Sequence, residues 1–219
     1  MTGLNLPHPL TLIKSVIFTN ESVRAEIVDS RGPWPALLLA WHTVGQAHRD
    51  AAAVTLLEGY LFQNRNSIIK QSGLRDPQQL LTYSIPLSME HMGVTNLVMV
   101  PRAKTSLDQL AENIEQMINQ LSSQGISQSD LDQLKAQWLN LKLRQVDSPS
   151  ALARALSATL PQDRLAPLTG PWERINAVTT VDMQRVTGRY FNHGYVRLDL
   201  LPPWYLRWRK PYWNGFPQG

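Results

Sequence analysis

The run 87-LSMEHMGV-94 places Glu90 beside His91. The pair is the second half of an H-x-x-E-H pattern whose first position is occupied by Leu87. Chemistry at such a pattern needs two histidines four apart on one helix face. Both then reach one zinc ion while the glutamate acts as base on the metal-bound water, and a third protein ligand completes the site. Here one histidine is replaced, and the alternation of residues on either side predicts strand and turn instead of helix. The expected role of Glu90 and His91 is therefore a solvated turn.

Two further histidines, His42 and His48, lie six apart across a connection that contains Gly45, with Asp50 and Glu58 downstream. Combined with His91 they would make an unconventional histidine-based metal hydrolase, the alternative enzyme class. The plainer reading is a strand end and an exposed helix start, because no fixed spacing forces these side chains to converge. The chain has no cysteine, which excludes disulfides, thiolate metal sites and cysteine nucleophiles. G-x-S-x-G, P-loop and G-x-G-x-x-G patterns are also missing from the sequence.

At 219 residues, 43% of them hydrophobic, the chain can bury one substantial core. Only 17% of residues are charged, below the roughly 25% usual for soluble domains, so part of the surface is expected to be covered by something else. The longest apolar run, Ala36 to Trp41, is too short to span a membrane, and no signal peptide is visible near the first residue. The net charge of +4 owes much to 204-WYLRWRKPYW-213. Prolines 202, 203, 211 and 217 predict that this aromatic, basic tail lies extended over its own domain or a partner. Nucleic acid and membrane surfaces are weaker expectations for it.

The elements that must position these groups follow from periodicity. Residues 1–22, broken by Pro7 and Pro9, read as an extended lead-in or interlobe linker. The stretch 23-VRAEIVD-29 alternates as a half-buried strand, and 36-ALLLAWH-42 suits a central one. A helix is expected from about His48 to Lys70. Paired strands at 80–89 and 94–100 are expected to flank the turn at Glu90 to Gly93. Leu107, Leu110, Ile114, Met117 and Leu121 form one helical stripe closed by Gly125. Ser127 caps a second helix, Ser148-Pro149 opens a third to about Leu160, and Thr179-x-x-Asp182 opens a fourth. Tyr195 to Leu201 reads as a last strand. The fold class is α+β: an antiparallel sheet with helices packed on one face.

That arrangement resembles a lobe of the insulinase/pitrilysin (inverzincin) zinc metallopeptidases, the family that includes mitochondrial processing peptidase. The resemblance rests on 36-ALLLAWHTVGQAHRDAAAVTLLEGYL-61, 67-SIIKQSGLRDPQQLLTYSI-85, 93-GVTNLVMVP-101, 125-GISQSDLDQLKAQWL-139 and 172-WERINAVTTVDMQRVTGRYF-191 in that order. The last is similar to the family's I-x-x-V-T-x-x-D-V-x-x-x-A-x-x-Y segment. In the family, paired lobes of one fold close around an extended peptide, and the first carries H-x-x-E-H on its first long helix. The corresponding helix here has only His48 and Glu58, so the resemblance implies the second, non-catalytic lobe.

Several expectations follow from the resemblance. The chain is not an enzyme on its own. No catalytic residue or metal ligand lies in it, and no cofactor belongs to it. Zinc is expected in a partner lobe or subunit, as part of a zinc metalloendopeptidase assembly that takes a peptide substrate. Second lobes often carry an arginine and a tyrosine in an L-R-E-x-x-G-L-x-Y segment that help bind substrate. The matching positions are Arg75 and Tyr83, with one extra residue between them and Pro77 interrupting the segment. The expected organisation is a lead-in at 1–22, an inactive lobe at 23–201 and a tail at 202–219. A non-proteolytic scaffold or assembly subunit of the same fold is the alternative. The resemblance favours the periplasm, and absence of cysteine is equally compatible with the cytoplasm.

Overall fold

The structure, a computed structural model, describes residues 22–29, 34–63, 67, 69, 79–101, 106–145, 170–203 and 205. Arg75, the helix expected from Ser148 to Leu160, nearly all of the lead-in and most of the tail lie outside the described residues.

Among the described residues six strands form one sheet: β1 (Val23–Val28), β2 (Ala36–Val44), β3 (Gln79–Tyr83), β4 (Leu87–Ser88), β5 (Met92–Pro101) and β6 (Val196–Leu201). Their spatial order is β1-β6-β2-β5-β3, with β4 also on β5. All pairings are antiparallel except β1 with β6. The exception has a topological cause. A short connection returns β1 to β2 in the opposite direction, and the final strand inserts between them. Antiparallel to β2, β6 must run parallel to β1.

The helices are α1 (Ala51–Glu58), α2 (Leu107–Gln124), α3 (Gln128–Gln145), α4 (Gly170–Asn176) and α5 (Thr180–Val186). Their boundaries follow from local chemistry. The Ser106 hydroxyl accepts the Gln109 N–H while Gln109 reaches back to the Ser106 N–H, a reciprocal cap that satisfies two otherwise orphaned donors. Gly125 ends α2 at φ +74°, a left-handed conformation that glycine adopts at little cost. Ser127 accepts the Asp130 N–H at the start of α3, and Thr179 with Asp182 forms the same kind of box on α5. The predicted stripe on α2 is seen as buried Leu110, Ile114 and Leu121, with Leu107 and Met117 partly buried.

The core lies between the helices and one face of the sheet. Leu37, Leu39 and Trp41 of β2 and Leu97 and Met99 of β5 point into it. Each such leucine withdraws enough apolar area from water to contribute roughly 1.5–3 kcal/mol. The expected helix from His48 keeps α-helical geometry only to Glu58 and continues as a π turn over Gly59–Gln63. A π turn also follows α5, at Thr187–Phe191. The extra residue per turn changes which side chains face inward. The two turns deliver Phe62 and Phe191 onto Trp41, at centroid distances of 5.6 and 5.7 Å, with the two phenyl rings 6.4 Å from each other.

Candidate functional site

The opening motif lies in the hairpin between β4 and β5, and its backbone has a structural task. The Gln46 and Ala47 N–H groups donate to the carbonyls of Met89 and Glu90 at 2.8 and 2.9 Å. This ties the hairpin to the connection between β2 and α1. Gly45 makes the approach feasible, since a Cβ there would meet Met92 N at 2.4 Å and Glu90 O at 2.5 Å, both backbone atoms. Gly45→Ala is expected to cost at least about 2 kcal/mol, because one of two backbone segments must move. Urea unfolding checks this, and an unchanged midpoint would mean that the contact yields freely.

The side chains of that motif point elsewhere. Glu90 and His91 are exposed and 3.8 Å apart. His42 lies exposed on β2, in register with Val94. His48 is half-buried, and its Nδ1 accepts the Asp50 N–H at 3.0 Å. Among the described residues, no group of three or more His, Asp or Glu side chains is placed to hold a metal ion.

Both ends of α1 hold a carboxylate with a different fate. Asp50, at the start, is buried and accepts two hydrogen bonds from Arg185, Nη1 at 3.0 Å and Nη2 at 2.8 Å, and a third from the Tyr190 hydroxyl at 2.8 Å. The Arg185 guanidinium holds the Asp50 carboxyl down to about 2. Burial, and then the bond to Asp50, raises Tyr190 to about 12. Glu58, at the other end, lies buried against β5, where the Thr95 hydroxyl donates to its Oε1. Burial pushes the Glu58 carboxyl up to about 7, and the Thr95 hydrogen bond only partly opposes this. The sequence marks Glu58 as the one glutamate of its helix and gives no sign that it is buried. The signal is retrospective: Thr43 and Thr95 interrupt the inward rows of β2 and β5, and both are buried.

Tyr83 stands at the end of edge strand β3, opposite Val98 and exposed. It does not pack in the core. β3 and β4 continue one line along β5, with Tyr83 opposite Val98 and Leu87 opposite Val94. Between them the main chain leaves the ladder at Ile85. The Asn96 carboxamide replaces the missing rung, accepting the Ile85 N–H at 3.1 Å and donating to the Ile85 carbonyl at 2.6 Å. Leu81, Tyr83, Ile85, Leu87 and Met89 thereby form one outward row, each 43–61% exposed. The row continues inward across the sheet face opposite the helices through half-buried Val94, Val98, Val100, Leu38, Leu198 and Leu200.

A separate cleft of about 230 Å³ is lined in part by Trp41, Glu115, Asn119, Phe191, Asn192 and Tyr195. The Tyr195 hydroxyl donates to Glu115. Trp41 is 1% exposed, and its indole N–H has no hydrogen-bond partner.

Residues 4–138 match the family model described as the peptidase M16 inactive domain. Among solved structures, a protease from Helicobacter pylori superposes with a TM-score of 0.75 at 18% identity, over 84% of this chain and 44% of that one. An inactive peptidase domain from Bordetella parapertussis superposes with a TM-score of 0.65 at 16% identity, over 78% of this chain and 92% of that one. A chain of Complex III2 from Candida albicans gives a TM-score of 0.68 at 13% identity, over 83% and 46%. At these identities the superpositions establish the fold alone. The chain spans less than half the length of the Helicobacter and Candida relatives. No curated protein sequence matches it.

Proposed function

Because this chain belongs to the peptidase M16 inactive-domain family, and is thus a non-catalytic lobe of an M16 peptidase-like protein, we propose that it works by enclosing a peptide. In this reading a partner lobe supplies zinc and the base. The observation that carries it is the outward apolar row on β3 and β4 at the sheet edge, continuous with the apolar face opposite the helices. Monomeric surfaces seldom expose contiguous apolar area on this scale, and such area marks a contact surface. The face suits the partner lobe, and the outer edge of β3 suits an extended peptide, which would add to the ladder through main-chain hydrogen bonds. Tyr83 would pack on the peptide there. Arg75, carried over from the family segment, would complete the pair.

The test is reconstitution with a catalytic M16 lobe and a fluorogenic peptide, alongside metal analysis of each component by mass spectrometry. This chain alone is expected to hold negligible zinc and to cleave nothing, and the mixture to cleave. Tyr83→Ala is expected to raise KM about tenfold, on the scale of a lost aromatic anchor. One tightly held zinc in this chain alone, with peptide hydrolysis that disappears in His48→Ala, would overturn the reading.

The likeness to a chain of Complex III2 favours a second reading: a non-proteolytic assembly subunit of the same fold. Under it, Tyr83→Ala and Arg75→Ala would leave peptide hydrolysis by any reconstituted assembly unchanged. The periplasm remains the compartment that the resemblance favours.

A further inference from the structure

We propose that the cleft beside Trp41 and Tyr195 binds a small organic cation: an ammonium or guanidinium group on a hydrocarbon body. The site is independent of the lobe reading and lies away from the β3 edge on which that reading rests.

Three side chains, Trp41, Phe191 and Tyr195, give the cleft an aromatic lining, with centroid distances of 5.7 and 5.8 Å from Trp41 to the other two rings. Among the described residues of the lining, Glu115 is the one carboxylate, His193 is the one side chain able to carry positive charge, and there is no lysine or arginine. Glu115 accepts the Tyr195 hydroxyl and is paired with no cation among the described residues. Trp41 and Phe191 are buried and floor the cleft, while the half-buried Tyr195 ring beside the carboxylate attracts a cation through its negative face, and Glu115 through direct Coulomb attraction. The bond from Tyr195 fixes the carboxylate, so little freedom is lost when a ligand arrives. Asn119 and Asn192 add carboxamides that can accept from N–H donors. The volume of about 230 Å³ suits a single aryl or alkyl group with its charged head.

The experiment titrates the full 219-residue chain with benzylamine, with its neutral isostere benzyl alcohol, and with N-acetyl-arginine methylamide, by calorimetry and by indole N–H shifts. Each is repeated on Glu115→Gln, which removes the charge, leaves Tyr195 an acceptor and alters an exposed side chain. Support would be one-site binding of benzylamine, at least about tenfold tighter than the alcohol and weakened about tenfold by the variant. Binding of the arginine derivative as well would identify side chains of peptides as a source of the cation. Binding of the free amine alone would identify a small free amine. Equal binding of alcohol and amine, an unaltered affinity in Glu115→Gln, or no binding up to about 10 mM would overturn the proposal.

Discussion

Replacing Glu58 with glutamine is expected to stabilise the protein above neutral pH and to leave it unchanged or slightly weaker in mild acid. The ordinary glutamate value is 4.5, and burial raises this carboxyl to about 7 in the folded chain. Folding therefore favours the protonated form. The stability associated with Glu58 is complete below about 4.5, declines as the pH rises, and is gone once the pH passes 7. Across that window the wild-type protein should lose about 3 kcal/mol, since each unit is about 1.4 kcal/mol. Glutamine carries no charge at any pH and keeps an oxygen for the Thr95 hydroxyl to donate to. Its amide then needs its own partner in a buried place, which trims the gain to about 2 kcal/mol at pH 8. For a chain of this size that corresponds to a rise in Tm of about 4–8 °C. Urea unfolding of both proteins at pH 5, 6, 7 and 8 decides the matter. Curves that stay parallel over the whole range would show that Glu58 does not titrate between its folded and unfolded values.

The contrast between Glu58 and the readily legible parts of the chain shows what a sequence discloses. The caps at Ser127 and Thr179 disclosed themselves, because each acts within three residues of its own position. The stripe on α2 did too, since its period is a property of one helix. The fate of Glu58 depends on Thr95, 37 residues away on another element, and no local pattern encodes that meeting. The parallel β1–β6 pair was hidden for the same reason: it joins the first strand to the last. Tyr83 was legible as a strand residue. Its exposure was not, because which face of an edge strand is covered depends on what packs there. The His48, His42 and His91 set illustrates the reverse risk. Suggestive residue types do not converge unless the topology brings them together, and here His48 instead accepts a backbone N–H at the start of α1. The carboxylates at the two ends of α1, Asp50 and Glu58, are engaged in holding the helix to the rest of the core.

Asp50 is where that engagement is strongest, and Asp50→Ala should be the most destabilising single change at the start of α1. It strips both bonds from Arg185 and the one from Tyr190, and those partners come from α5 and the π turn that follows it. Removing one member of a buried, bidentate ion pair typically costs 3–5 kcal/mol. The Arg185 side chain is 40% exposed, so water screens the pair and re-solvates the stranded guanidinium, and a loss of about 2–3 kcal/mol is expected. Asp50→Asn keeps an acceptor without the charge and should lose about half of that. The pH dependence has the opposite sign to that of Glu58. The Asp50 carboxyl falls from the ordinary 3.8 to about 2, so its contribution is present above 3.8 and is lost as the pH drops through 2. Wild type should thus weaken steeply between pH 4 and 2, while Asp50→Asn should show a shallower decline over the same range. A double-mutant cycle with Arg185→Ala separates the pair from its surroundings, and a coupling of about 1–2 kcal/mol is expected. A coupling near zero, with equal acid sensitivity in both proteins, would mean that α1 is anchored by apolar packing alone. The Arg185 fork would then be an incidental contact.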